Sequence, residues 1–402
     1  MAANRKLHPR PRPPRFVVIA LIASLVLAAS LAVWWLALGE PQVPAVYLNG
    51  VRTKASARSW HLRRRWSLKL PGVAYMSLSP ARNGDVLAIE ESKGLCCISA
   101  GGSVRWTISI PDLSGPLTPL SIDRTGELAL LPAMSSLYCI SMDGRIEWHL
   151  KEMAHRAVWC PDTDKAFVTD GFGTCYMVDR SGKKLWEFEE PGPGGGCEPW
   201  CTVAAGPSGH LYFLSGDTIY CFSAGGALLW KTDMTSMDSE PLIARDGSLV
   251  VTMNRGLGAA VLSAISPEGR VRWQQNLNSS AYWQPPLEDS QGTIYAIVSS
   301  GFLYSVDRLG KLNWQLQCTP TIDTWPYKPW AYVNEDRSIV MHSVWGSGVF
   351  TRHILWLVAP DGTVSYAWWG ASPKGIFVDP LGNLYLWSRN GLIAKYDLTS
   401  HN

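Results

Sequence analysis

Gly102-Ser-Val-Arg-Trp106 is the first of six copies of one phrase, a glycine, three residues and a tryptophan. The others are Gly144-Arg-Ile-Glu-Trp148, Gly182-Lys-Lys-Leu-Trp186, Gly226-Ala-Leu-Leu-Trp230, Gly269-Arg-Val-Arg-Trp273 and Gly310-Lys-Leu-Asn-Trp314. A degraded copy follows at Gly362-Thr-Val-Ser-Tyr366. The tryptophans stand 42, 38, 44, 43 and 41 residues apart. A period of about 40–50 residues marks a repeat architecture, in which each unit buries its apolar face against its neighbour.

A second phrase runs in step with the first: a turn residue, then alternating apolar positions. It occurs eight times, beginning at Gly84, Gly126, Asp164, Gly209, Gly247, Gly292, Arg337 and Gly382. These are half-buried strands opened by tight turns. A third strand follows each, as in Leu137-Tyr-Cys-Ile-Ser141, and the tryptophan phrase supplies a fourth. Four short strands per repeat predict an all-β, eight-bladed propeller. The eighth repeat reaches its third strand at Leu392-Ile-Ala-Lys-Tyr396, and no tryptophan phrase follows it. An orphan Trp66, in Leu62-Arg-Arg-Arg-Trp66-Ser-Leu, stands one period before Trp106. The N-terminal strand is therefore expected to complete the last blade and close the ring, which removes the open edges of the array.

Val178-Asp179-Arg-Ser-Gly182-Lys-Lys-Leu-Trp186 and Val306-Asp307-Arg-Leu-Gly310-Lys-Leu-Asn-Trp314 resemble the PQQ-type (pyrroloquinoline quinone) propeller repeat, over about residues 59–397. The resemblance implies that Trp66, Trp106, Trp148, Trp186, Trp230, Trp273 and Trp314 pack between neighbouring blades; Tyr366 departs from the pattern. It is similar within that group to the BamB family of outer-membrane protein assembly factors, which are non-enzymatic. The lipid-attachment Cys of that family is missing here, and an apolar segment stands in its place. Quinone-dependent dehydrogenases share the repeat, and the adjacent pair Cys96-Cys97 resembles the vicinal disulfide they carry at the cofactor. Here the pair lies within a third strand, where successive side chains point to opposite faces. Alignment with Tyr138, Tyr176, Tyr220 and Tyr304 (for Cys96), and with Cys139 and Cys221 (for Cys97), makes both ordinary repeat positions.

Phe16 to Leu38 is an uncharged, predominantly apolar run of 23 residues, long enough to span a bilayer. Arg5, Lys6, Arg10, Arg12 and Arg15 precede it without an acid. The positive-inside rule then places the N-terminus in the cytoplasm and the propeller outside. The expected layout is a basic cytoplasmic tail (1–15), a transmembrane signal anchor (16–38), a linker (39–58) and the propeller (59–402), in the inner or plasma membrane of a bacterial cell. A cleaved signal peptide, cut near Ala37-Leu-Gly39, is the rival reading of the segment. Seven basic residues lie between positions 52 and 69, whereas Leu70 onward holds 24 basic against 32 acidic residues, a net −8. A mildly acidic propeller excludes nucleic acid as a partner. The basic stretch reads either as a solvated linker and edge strand or as a contact for anionic lipid.

Nine cysteines sit largely on strands as small apolar residues, and only Cys197 and Cys201 share a loop that could carry a bridge. The eight histidines show no metal-ligand spacing. No nucleophile elbow, haem motif or phosphate loop occurs, and Gly192-Pro-Gly-Gly-Gly196 is followed by Glu-Pro-Trp-Cys rather than a helix. No catalytic residue, cofactor or metal is expected.

Strands alternate in direction, so the connections between blades and the hairpins joining second to third strands share one face. The longest of these, Glu187–Trp200, Gln315–Trp330, Asn254–Ala260 and Ser343–His353, all fall on it. It also carries aromatics outside the packing register: Trp200, Tyr282, Trp283, Trp325, Tyr327 and Trp330, with Trp345 expected in the enlarged hairpin of repeat seven. Trp and Tyr are favoured binding anchors, so these are the expected partner-binding residues; the bland reading is that they plug the central channel. The sequence predicts a non-catalytic protein-binding or scaffolding module. Its rivals are a quinone-dependent oxidoreductase and a ligand sensor.

Overall fold

The structure, a computed structural model, describes residues 46–53, 61–70, 76–81, 83–90, 94–110, 113, 120–133, 135–190, 201–234, 239–255, 259–278, 284–298, 301–318, 330–334, 336–345, 352–369, 373–379, 382–388 and 391–399. They form eight antiparallel sheets, seven of four strands and one of six, each a blade whose four core strands run in radial order from inner to outer edge. Blade 1 is typical: Met76–Pro80, Val86–Glu90, Gly94–Ile98 and Val104–Ser109. The expected closure is present. The outer strand of blade 8 is His61–Lys69, laid antiparallel on Leu392–Thr399 from His61 opposite Thr399 to Lys69 opposite Leu392.

The glycine–tryptophan phrase has a physical explanation in the joints between blades. Each glycine lies in the turn from third to fourth strand with φ near +85°, a region other residues avoid. It rests on the indole of the preceding blade's tryptophan. A Cβ on Gly182 would lie 2.7 Å from Trp148 Cδ2, and one on Gly310 2.5 Å from Trp273 Cγ. Each indole then donates across the joint to a backbone carbonyl of that turn: Trp66 to Ala100 at 2.9 Å, Trp106 to Met142 at 2.8 Å, Trp148 to Arg180 at 2.7 Å. Trp186, Trp230, Trp273 and Trp314 repeat the bond to Ala224, Pro267, Arg308 and Pro360. A β-bulge just before every one of these tryptophans sets the register. In blade 7 the ladder runs unbulged, with Tyr366 opposite Trp356. The next joint is with the blade closed by His61–Lys69, whose third and fourth strands are not joined by a turn. No glycine turn exists there to receive an indole, which accounts for the lapse of the motif.

Residues 46–53 depart from the expected linker. Val46–Leu48 pairs with the outer strand of blade 6 (Leu312–Cys318) and turns through Asn49-Gly50 into Val51–Thr53, so that blade has six strands. Asn49 and Gly50 take φ of 50° and 79°, the left-handed values a two-residue hairpin needs. Val46 is buried against Trp314, Trp356 and Tyr295. The Asn-Gly dipeptide between Val46-Tyr-Leu48 and Val51-Arg-Thr53 was the legible signal for this hairpin.

On the face of short turns, buried acids tie blades together. Arg337 of blade 7 donates from Nε to Asp289 Oδ2 of blade 6 at 2.7 Å, and Arg180 of blade 3 lies 3.0 Å from Asp123 of blade 2. Burial alone would raise both carboxyl pKa values. For Asp289 the Arg337 guanidinium and backbone N–H groups outweigh it, and for Asp123 chiefly backbone N–H groups do; both are held below the ordinary value. Their contribution is thus present above the unfolded pKa of about 4 and is lost as pH falls through the lower folded values. Asp289→Asn should cost about 3 kcal/mol at neutral pH, and clearly less at about pH 3, where the wild type has lost much of the same term. Urea unfolding at the two pH values measures both.

Candidate functional site

The blade topology puts the blade-to-blade connections and the second-to-third-strand hairpins at one end, the loop face. Of the expected partner-binding residues, Trp200, Tyr282, Trp283, Trp325 and Tyr327 lie outside the described residues, as do Cys197 and the run 16–38. Trp330 is the first residue of the inner strand of blade 7, Trp330–Val333. Trp345 is the last residue of Ile339–Trp345 and pairs with Arg352, so it belongs to a lengthened strand ladder rather than to the hairpin loop. Part of the extra length in repeat seven is therefore sheet.

Inner strands have one edge without a strand partner, and its N–H groups need acceptors. Side chains of the preceding blade supply several: Ser79 Oγ accepts from Leu120 N at 3.0 Å, Ser121 Oγ from Trp159 N at 2.9 Å, and Gln284 Oε1 from Ala331 N at 2.9 Å. At the loop-face end of blades 3 to 5 these links become charged. Arg156 begins the inner strand of blade 3 and pairs with Glu240, which precedes the inner strand of blade 5 (Leu242–Ile243), so the pair steps past blade 4. Burial pushes the Arg156 guanidinium down to about 10, which leaves it charged at neutral pH. His155, beside it, bonds to the backbone of Cys201 at the start of blade 4; burial first, then the Arg156 charge, lowers its pKa, so the imidazole is neutral at pH 7.

A second polar group lies outward of this one. Glu190 accepts from Ser215 Oγ and, at 2.8 Å, from Tyr220 Oη, while Cys201 Sγ lies 3.3 Å from Ser215 Oγ. The hairpin Gly171-Phe-Gly173 lies beside it, Gly173 O accepting from Glu190 N at 3.0 Å, and Phe172 is 51% exposed; Met153, in the connection that enters blade 3, is 42% exposed. Sequence reading missed Arg156, Glu240, Glu190, Phe172 and Met153. A basic residue opening an inner strand was the available signal for Arg156; the other four carry none, because only the ring brings them together.

The chemistry of the cysteines argues for packing. Cys96 lies in the core between blades 8 and 1, and Cys97 in the core between blades 1 and 2. Adjacent residues on opposite faces of a regular strand cannot form the vicinal disulfide of a quinone site, so the pair does not fit that cofactor. Cys97, Cys139 and Cys221 stand opposite Trp106, Trp148 and Trp230 as small cross-strand partners. Burial, assisted for Cys97 by Asp85, pushes the thiol of Cys97 up to about 11, and burial pushes Cys139 and Cys221 up to about 12, so none is a nucleophile at neutral pH. Among the described residues no group of three or more His, Cys, Asp or Glu is placed to hold a metal.

The family described as outer membrane protein assembly factor BamB matches residues 171–323, from blade 3 into the connection after blade 6. The crystal structure of BamB from Moraxella catarrhalis superposes with a TM-score of 0.64 at 16% identity, over 84% of this chain and 99% of that one. Over residues 171–323 the chain resembles that family, and its fold is similar to that of the BamB propeller. The Dos1 propeller is as similar in shape, with a TM-score of 0.65 at 10% identity over 85% of this chain and 96% of that one. No curated protein matches the sequence. At these identities the likeness to the solved structures is one of fold, and the BamB-like propeller's own site must be argued from its own residues.

Proposed function

We propose that this BamB-like propeller is a non-catalytic protein-binding module, held at the inner or plasma membrane by the apolar segment 16–38 and displayed on the extracytoplasmic side. The observation that carries the reading is the asymmetry of the ring. Among the described residues, one end is tied by short glycine turns, while the strand ends that lead from blade to blade lie at the other, with the exposed Phe172 and Met153. A rigid scaffold presenting loops at one end is a common way to build a recognition surface. The BamB match supports a protein partner rather than a small substrate, and the buried, neutral thiols favour binding over chemistry.

Capture of partners from solubilised membranes tests it. Two variants are compared with the wild type: Trp325→Ala with Tyr327→Ala, and Met153→Ser with Phe172→Ser. At least one should lose capture roughly 30-fold, the effect of removing an aromatic anchor worth about 2 kcal/mol, with the melting temperature held within a few degrees. Full capture by both would remove the loop face from consideration.

A further inference from the structure

The outer strand of blade 8, His61–Lys69, differs in charge from the rest of the ring. Its Arg63, Arg64, Arg65 and Lys69 are all exposed, and the strand's outer edge has no neighbouring strand among the described residues. The bulge between Arg64 and Trp66 is what permits this: it inserts Arg65 without disturbing the inward register of Trp66. Arg65 is paired with Asp397. Arg63, Arg64 and Lys69 have no ion pair with any described acid, and the strand contains none. Other outer edges mix signs or neutralise their cations. Blade 2 carries Glu147, blade 3 alternates Lys184 with Glu187 and Glu189, and the exposed Arg105 of blade 1 lies 3.1 Å from Asp85.

Guarding an edge strand against pairing takes one or two charges of either sign. Three uncompensated cations, on a propeller that from Leu70 onward is net −8, ask for an external anion. In the sequence, Arg58 and Lys54 add to the basic run just upstream, and Arg52 lies on the outer hairpin of blade 6. We infer that the edge of blade 8 is a docking surface for the anionic headgroups of a phospholipid bilayer. This rests on the proposed membrane attachment and deepens it: the propeller would lie with one rim on the lipid surface, and its loop face would open sideways to partners. Each basic residue near an anionic surface is worth roughly a five-fold gain in residence there, screened by salt.

Arginine footprinting of the full-length protein tests this. The chain is reconstituted into vesicles of phosphatidylcholine alone or with about 30% phosphatidylglycerol, a surface charge sufficient to attract basic segments. It is treated with phenylglyoxal and modification is read residue by residue by mass spectrometry. On the anionic vesicles, Arg63 and Arg64 should label about five-fold less or lower still, and recover at about 0.5 M salt, where the Debye length is only a few ångströms. Arg145, on the outer turn of blade 2, should label equally on both. Equal labelling of Arg63 and Arg64 on the two vesicles overturns the inference. So does equal protection on both, or protection in detergent that grows with protein concentration, since these mean an apolar or protein contact. Alkaline carbonate extraction reads the anchor separately: a chain that is extracted yet protected on anionic vesicles refutes the anchor and keeps the surface.

Discussion

A chain that begins at Leu70 will not fold cooperatively: it should aggregate, and what remains soluble should show no sharp thermal transition. A chain beginning at residue 54 should still melt cooperatively, a few degrees below the full propeller. The two truncations differ by His61–Lys69. That strand contributes a ladder of eight residue pairs to blade 8, and Trp66 donates to Ala100 and receives Gly102 on its ring. Backbone hydrogen bonds are worth about 1 kcal/mol each net, and burying an indole adds several more. The sum approaches the 5–15 kcal/mol that holds a typical domain together. Its loss also leaves blade 8 with an open apolar edge, the geometry that invites aggregation. Of the described residues, the shorter truncation removes only Val46–Thr53, whose main buried contribution is Val46 beside Trp314, about 2 kcal/mol. Calorimetry and light scattering separate the outcomes. Similar melts for both truncations would mean that closure by the N-terminal strand is dispensable.

Gly182→Ala should be among the most damaging single-methyl substitutions in the molecule, and Gly209→Ala one of the milder. Both glycines have positive φ, +83° and +76°, so both replacements incur the left-handed backbone cost of about 1–2 kcal/mol. They differ in what the methyl meets. At Gly209 nothing lies within 4 Å, whereas at Gly182 the methyl enters the six-membered ring of Trp148 at 2.7 Å. That indole is fixed by its 2.7 Å bond to Arg180 O and by the core between blades 2 and 3. Overpacking adds about 1–3 kcal/mol, for a total near 4 against about 1 at Gly209. Adding Trp148→Ala should recover part of the Gly182→Ala deficit, a coupling that a double-mutant cycle reads directly. Equal costs at the two glycines would show that the phrase exists for the turn alone.

The blade count, the four-strand repeat and the ring closure were legible because they rest on local alternation and on a period. Both survive in one dimension: eight strand-opening turns, six glycine–tryptophan phrases, and a Trp66 left over one period early. The burial of Cys96, Cys97, Cys139 and Cys221 followed from the same alignment. The candidate site was less legible. Trp345 was expected in the enlarged hairpin of repeat seven, and the lengthened ladder of blade 7 carries it at the end of a strand. The hairpin at 46–53 hid inside an expected linker because a three-residue strand has too little alternation to register, and its Asn-Gly turn was overlooked.

The sequence by itself determined the number of blades and the order in which the chain visits them, since those depend on patterns within about forty residues. Only the tertiary structure decided which groups meet across them. Each glycine answers to the tryptophan of the phrase before its own. Arg156 pairs with Glu240 by passing over a whole blade, and Val46 is buried on a strand some 270 residues further on. Such contacts join residues far apart in the chain, and no local periodicity encodes them. They follow from packing twisted sheets around a closed ring, which fixes the neighbours of each side chain only when the last blade is complete.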